Sequence, residues 1–255
     1  MTLLSVERIK LFSTRSPYWC LASILAAALL FGLLMGLVDN GHQATIFTSQ
    51  VGLQLGMMIF MVLAALAMTT EYRFGTIRAS FLVAPRRGSV LLAKTVLLAV
   101  LAAVTAAVCA FAAFFLTKAL ASAPPHPLEL ATGTDWRVLL GTVALYPIAA
   151  VIAVSVGTLI RHSAGAITLL LVWAMMIEGL VTLIPSVGPK ISPWLPFNAG
   201  SAFVSGDLPG GAGGGPFAAP TGSSGPTPLE GLLVFAATAV VLWIIALIAL
   251  RRRDA

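Results

Sequence analysis

Six stretches of almost purely apolar sequence constrain this chain more than any other feature. They cover residues 18–38, 51–68, 90–116, 138–160, 164–184 and 229–250. A helix of about 20 apolar residues crosses the roughly 30 Å hydrocarbon layer of a bilayer. Only 9% of the residues are charged, whereas about 25% is usual in soluble proteins. The sequence therefore predicts an all-α polytopic membrane protein, with six transmembrane helices forming a single domain over residues 1–255.

The positive charges predict the orientation of the six spans, because Lys and Arg collect on the cytoplasmic side of membrane proteins. Of the 15 such residues, 12 fall on one side of the predicted arrangement: Arg8, Lys10, Arg15, Arg73, Arg78, Arg86, Arg87, Lys94, Arg161, Arg251, Arg252 and Arg253. The other side receives Lys118, Arg137 and Lys190. We expect both termini in the cytoplasm. The net charge of +6 then faces anionic lipid headgroups, and no nucleic-acid partner is expected.

Two segments outside the spans have a distinct composition. Residues 1–17 form a basic lead-in that is compatible with a helix lying at the membrane interface. Residues 185–228 form an external loop, and 12 of the 22 residues from 207 to 228 are Gly or Pro. Such a stretch buries too little apolar surface to offset its ordering entropy. The first half of the loop carries signals of order, including Asn198 as a candidate helix cap.

The cytoplasmic loop of residues 69–89 predicts a short amphipathic helix. Thr69 or Thr70 is suited to cap its start, and Glu71 falls in the first turn, where the helix dipole favours an acid. An apolar face follows at helical spacing, made of Phe74, Ile77 and Phe81. Two interpretations stay open on physical grounds. The helix lies on the membrane surface, or it docks into a partner protein.

The sequence lacks several catalytic signatures. No G-x-x-x-x-G-K-[ST] loop occurs, so we expect a chain that is not an ATPase on its own. The three histidines, His42, His126 and His162, are dispersed, and no metal site is expected. Glu178 is the one ionisable group that we expect to be buried inside the spans. A membrane-embedded enzyme and an ion-coupled carrier remain alternatives, although both require more buried polar groups than this pattern offers.

Three short segments resemble type-2 ABC transporter permeases. The first consists of Glu71, Tyr72, Arg73, Phe74, Gly75 and Thr76, with Pro85, Arg86, Arg87 and Lys94 behind it. The second is RHSAGA at residues 161–166, and the third is LPFNA at residues 195–199. Together they extend over most of the chain, and the six-span plan agrees with that family.

The resemblance implies a function and partners. In that family the loop after span two carries a coupling helix, which docks into a separate ATP-binding subunit. It implies a bacterial plasma-membrane exporter, such as a multidrug efflux system, for a hydrophobic or amphipathic compound. Two permease subunits, as a homodimer or with a related chain, would assemble with two ATPase subunits. ATP and magnesium would bind to the ATPase, and this chain would hold no cofactor.

The resemblance also points to a substrate pathway, because spans two and five of that family face each other across the dimer axis. Span two offers a stripe at helical spacing, made of Gln50, Gln54, Met57 and Met61. Span five offers Met175, Glu178 and Thr182. Methionine is adaptable enough for bulky cargo, but it also fills gaps between helices. Glu178 is either a pathway acid or an acid hydrogen-bonded near the outer surface.

Overall fold

The computed structural model describes residues 3–38, 44–75, 87–122, 128–185, 187–206 and 225–253. All regular secondary structure in these ranges is helical, with no strand. The α-helices are α1 (Leu3–Phe12), α2 (Ser16–Leu37), α3 (Ile46–Ser49), α4 (Val51–Arg73), α5 (Arg87–Leu120), α6 (Gly133–Ile160), α7 (Ser163–Val172), α8 (Glu178–Thr182), α9 (Gly188–Ile191), α10 (Pro196–Ser205) and α11 (Pro228–Arg253). A π-helical turn, Trp173–Ile177, joins α7 to α8, and a 3-10 turn, Ser192–Trp194, precedes α10.

Six helical stretches in this described part of the chain are long and apolar enough to cross a membrane. They are Ser16–Leu37, Ile46–Arg73, Gly88–Leu120, Gly133–Ile160, Ser163–Thr182 and Pro228–Arg252. Each coincides with one of the six apolar segments found in the sequence. The prediction of an all-α fold with six helices suited to span a membrane is confirmed for these residues.

The spans are packed around α4 and α6, which contact each other. Helix α6 also packs against α5 and α11, while α2 packs against α4 and α5. Most residues of α4 and α6 are buried, whereas α2, α11 and the α7–α8 span bury only 22%, 17% and 22% of their most apolar stretches. The exposed side chains of the outer helices are largely Leu, Val and Ile, as expected for surfaces that meet lipid.

Glycines allow the closest helix contacts. A Cβ atom at Gly52 of α4 would lie 2.6 Å from the carbonyl oxygen of Ala27 and 2.9 Å from the Cα of Ala28, both on α2. A Cβ at Gly36 of α2 would lie 2.8 Å from the Cβ of Leu120 on α5. Small residues let membrane helices approach until their backbones touch, so α2 is held tightly against both neighbours.

The bundle has two chemically different ends. We call the end with Arg73, Arg161 and Arg251 the basic end, and the end with Leu37 and Thr182 the opposite end. Helix α6 runs between them: its start is capped at the opposite end by Thr132 and Asp135, whose side chains each accept the other's backbone N–H. Its last turn is followed at the basic end by Arg161 in the left-handed conformation, with φ of 59°.

Candidate functional site

Four charged side chains from three helices meet at the basic end. The Lys94 Nζ atom on α5 lies 2.7 Å from Glu7 Oε2 on α1 and 3.0 Å from Glu71 Oε1 on α4. The Lys10 Nζ atom on α1 lies 3.0 Å from Glu7 Oε1 and 3.2 Å from Glu71 Oε1. Glu7, Lys10, Glu71 and Lys94 are called the ion cluster below.

The ion cluster is the principal attachment of α1. Glu7 is the one buried residue of that helix, and a groove of about 380 Å³ separates α1 from parts of α2, α4 and α5. The apolar side chains Leu4, Val6 and Ile9 of α1 are exposed. Helix α1 therefore turns charged groups toward the bundle and apolar groups away from it, as suits a helix at a lipid interface.

Glu7 and Lys10 keep their charges across the neutral pH range. Burial raises the pKa of Glu7, but Lys94 and Lys10 outweigh it and hold that pKa below the ordinary value of 4.5. Burial lowers the pKa of Lys10, but Glu71 and Glu7 outweigh it and hold that pKa above the ordinary 10.5. The stabilisation from Glu7 is thus present above pH 4.5 and disappears as pH falls through the lowered pKa. That from Lys10 is present below pH 10.5 and disappears as pH rises through the raised pKa.

The expectation that Glu178 is the one buried ionisable group of the spans is wrong. Lys94 lies in the third span and is 6% exposed, and Glu71 at the end of the second span is buried as well. Their partners come from α1, which the sequence places about 60 residues or more away. The sequence feature that points to part of the ion cluster is the spacing of Glu7 and Lys10, since residues i and i+3 of a helix share a face.

The start predicted for the loop helix is also wrong. Helix α4 continues without a break through Arg73, so Thr69 and Thr70 lie inside it and cap nothing. The hydroxyl of Thr70 donates instead to the carbonyl of Leu66. No helix-breaking residue occurs before Gly75, and the helix therefore propagates beyond the apolar segment. Residues 76–86, including Thr76, lie outside the described residues, and an amphipathic helix there stays a prediction.

The first two segments of the resemblance contact each other at the basic end. The guanidinium carbon of Arg161 lies 4.8 Å from the centre of the Tyr72 ring. The hydroxyl of Ser163 donates to that of Thr69 at 2.9 Å. A cation over an aromatic face is attracted by the ring quadrupole. The end of α4 is therefore tied to the link between α6 and α7.

Beyond these internal contacts, α4 ends in an exposed tip. Arg73, Phe74 and Gly75 are all exposed, and Phe74 is 71% exposed. The guanidinium carbon of Arg73 lies 5.6 Å from the Phe74 ring centre. Gly75 has a φ of 70°, which other residues adopt only with strain. Of the described residues in the predicted coupling segment, these three form the surface that another molecule can reach.

Glu178 binds the start of another helix at the opposite end. Its Oε1 accepts the backbone N–H of Phe197 at 3.0 Å, and its Oε2 accepts that of Asn198 at 2.7 Å. The carboxylate is 1% exposed, and the Trp173 ring packs edge-on against that of Phe197 at 5.8 Å. An acid at a helix N-terminus satisfies free N–H groups and complements the helix dipole.

Asn198 does not cap α10, contrary to the prediction. It lies inside the first turn, where its Nδ2 donates to the carbonyl and the hydroxyl oxygen of Ser192. The cap is supplied by Glu178, 20 residues earlier in the chain. The spacing of residues in the sequence does not reveal this contact between Glu178 and α10. Two sequence features were compatible with it: an acid within an apolar span, and Pro196, since Pro is frequent at the first position of a helix.

Three residues of the predicted pathway line one cavity near the opposite end. Gln50, Gln54 and Met57 line a cavity of about 40 Å³, a volume that corresponds to about two or three water molecules. Helix α6 contributes Tyr146, and α10 and α11 close the cavity, through residues that include Phe197, Ser201 and Phe235. Because α10 forms one wall, Glu178 supports the cavity without lining it.

The remaining predicted pathway residues lie elsewhere. Met61 is 0% exposed and belongs to the core between the central helices. Met175 is exposed on the outer surface of span five, and the hydroxyl of Thr182 donates to the carbonyl of Gly179. The stripe on span two therefore faces the interior of this chain. Its first three residues, Gln50, Gln54 and Met57, line the cavity.

Comparison of the chain with known protein families, with curated proteins and with solved structures finds no match in any of the three.

Proposed function

We propose that this chain is the transmembrane subunit of an ABC transporter that exports a hydrophobic or amphipathic compound. A second permease subunit and two separate ATPase subunits would complete the transporter, and the ATPases would bind ATP and magnesium. The basic end would face the cytoplasm, where positive charge is favoured. The proposal builds on the six-span architecture and on the resemblance of the three segments described above.

The observation that carries the proposal is the junction at the basic end. Glu71 and Tyr72 at the end of α4 contact α1, α5 and the link between α6 and α7 through Lys10, Lys94 and Arg161. A transporter driven from outside the membrane needs its loop connected firmly to several spans. A push on the tip of α4 would pass through these contacts to α1, α5, α6 and α7.

The junction also divides the coupling segment into two parts with different roles. Glu71 and Tyr72 hold the segment to the rest of the chain, because both side chains are engaged in internal contacts. Arg73, Phe74 and Gly75 are exposed and would contact the ATPase. An exposed aromatic ring beside a guanidinium is a favourable anchor for a protein interface.

An ion-coupled carrier is the second candidate, because the ion cluster places buried charges beside the spans. The four charges pair with one another across α1, α4 and α5, which favours a role in holding these helices together. Transport by this chain alone, driven by an ion gradient, would select the carrier.

The proposal predicts a neighbouring gene for an ATP-binding subunit, and it is tested by co-expressing that subunit with this chain. We expect the two to copurify and the ATPase activity to respond to substrate. In the Phe74→Ala variant the response and the transport should fall at least tenfold, while the variant inserts into the membrane normally.

The matched control is Phe115→Ala, since Phe115 is 60% exposed on α5 but lies on the outer surface of the bundle. It should retain full coupling. A complex that never forms would overturn the proposal, and so would equal coupling in the Phe74 and Phe115 variants.

A further inference from the structure

Three residues that line the small cavity at the opposite end use their hydroxyl protons in hydrogen bonds to backbone carbonyl groups. The hydroxyl of Tyr146 donates to the carbonyl of Leu53 at 2.6 Å, that of Thr142 to Val138 at 2.8 Å, and that of Ser205 to Ser201 at 2.9 Å. A hydroxyl has one proton to donate and two lone pairs. Once that proton is used, each of these hydroxyl oxygens offers a ligand only its lone pairs, as an acceptor.

The two glutamines of the cavity add acceptors of the same kind. The Nε2 of Gln50 donates to Ser49 Oγ at 2.9 Å and to the carbonyl of Ala110 at 3.3 Å. Since a carbonyl only accepts, this contact fixes which end of the amide is the oxygen. Among the described residues, neither Gln50 Oε1 nor Gln54 Oε1 has a hydrogen-bond partner, although both atoms are buried.

A buried acceptor without a donor is costly, and the Gln50 residue itself is 3% exposed. Gln50 and Gln54 are four residues apart and so share one face of the helical segment. Their oxygens are suited to receive two donors from a single ligand group.

The walls of the cavity favour a cation. Phe47, Tyr146, Phe197 and Phe235 line it, and none of its described lining residues carries a charge. Aromatic faces attract cations, most strongly where water is excluded. An anion would meet oxygen lone pairs and ring faces and would find few donors.

We propose that this cavity binds the protonated primary amine head group of an amphipathic substrate. An ammonium group has three N–H donors and fits a cavity of about 40 Å³, whereas the apolar body of the ligand lies outside it. Gln54 and Met57 are half-buried and mark the side from which the head group enters. The inference rests on the proposed function, since it names the substrate class of that transporter.

The test measures binding to the purified chain in lipid nanodiscs, without any ATPase. The probe is a fluorescent long-chain primary amine, compared with its N-acetyl, trimethylammonium and sulfonate counterparts of equal chain length. We expect the amine to bind at least tenfold more tightly than the acetylated and sulfonated probes. The trimethylammonium probe, which keeps the charge but has no N–H, should fall between them.

Variants assign this selectivity to the cavity. Gln50→Leu with Gln54→Leu should weaken amine binding at least tenfold, and binding of the acetylated probe should change little. Gln54→Leu alone changes a half-buried residue. It takes the place of the double variant in the binding experiment if the double variant does not fold. Met176→Leu on the lipid-facing side of span five is the control and should bind like the original chain. Equal affinity for all four probes, or unchanged selectivity in a folded glutamine variant, would overturn the proposal.

The outcome is separable from that of the transporter proposal. Selective amine binding by a chain that no ATPase accompanies would keep the ligand class and reject the ABC assignment. A coupled ATPase complex without amine selectivity would do the reverse.

Discussion

Lys94 brings two carboxylates within ion-pair distance of one ammonium group, and all three groups are buried. Lys10 contacts the same two carboxylates, but 35% of its side chain is exposed, so solvent screens its contribution. Removing one partner from a buried ion pair leaves an uncompensated charge and costs about 3–5 kcal/mol. Lys94 is therefore the member of the ion cluster whose loss should be most damaging.

We predict that Lys94→Met destabilises the chain and detaches α1. Glu7 and Glu71 would then face each other with only the half-exposed Lys10 between them. A thermal denaturation series in detergent, with a spin label at Ile9→Cys reporting the position of α1, measures both effects. Lys118→Met, at the exposed far end of the same helix, should change neither. A stable Lys94→Met variant with α1 in place would contradict the prediction, and Lys94→Arg should restore part of the stability.

At the scale of elements, α10 is fixed by a contact to a different helical span. The Glu178 carboxylate accepts two N–H groups from the first turn of α10, which have no partner within their own helix. Leaving a buried donor unsatisfied costs about 1–3 kcal/mol. The placement of the cavity wall formed by α10 thus depends on one side chain of span five.

We predict that Glu178→Leu loosens the start of α10. Amide hydrogen exchange over residues 196–205 should accelerate about tenfold or more, because Phe197 and Asn198 lose their acceptor. Glu178→Gln keeps one oxygen and should have a smaller effect. Glu230→Gln, which alters the exposed cap of α11, should leave residues 196–205 unchanged. Exchange at the original rate in Glu178→Leu would show that α10 is held by other contacts.

At the scale of the whole molecule, the charge difference between the two ends predicts the orientation in the membrane. With Cys20 and Cys109 replaced by alanine, single cysteines are placed at Thr14 and Ala131, which are exposed at the basic and opposite ends. A membrane-impermeant maleimide added to intact cells should label Ala131→Cys and spare Thr14→Cys. Inverted vesicles should show the reverse. Labelling of Thr14→Cys in intact cells would contradict the predicted orientation.

The spans were predictable from the sequence because hydropathy is a local property. The ends and contacts of the helices were not, since they depend on residues distant in the chain. Glu71, which the sequence places in a loop, belongs to α4 because no helix-breaking residue precedes Gly75. Its carboxylate pairs with lysine side chains of α1 and α5. The stripe that includes Met61 shows the same limit: helical spacing identifies a shared face, but it does not say whether the face turns inward or toward another subunit.

The π-helical turn Trp173–Ile177 has a consequence for the length of span five. A π turn contains about one residue more than an α turn, and each residue of an α-helix rotates the chain by about 100°. Because the wide turn absorbs that extra residue, deleting one residue from it would regularise the helix and leave Glu178 facing α10. If the turn became regular α-helix with all its residues kept, Glu178 would rotate by about 100°, away from the α10 amides. The wide turn therefore determines the direction in which Glu178 points, and with it the contact that holds the start of α10.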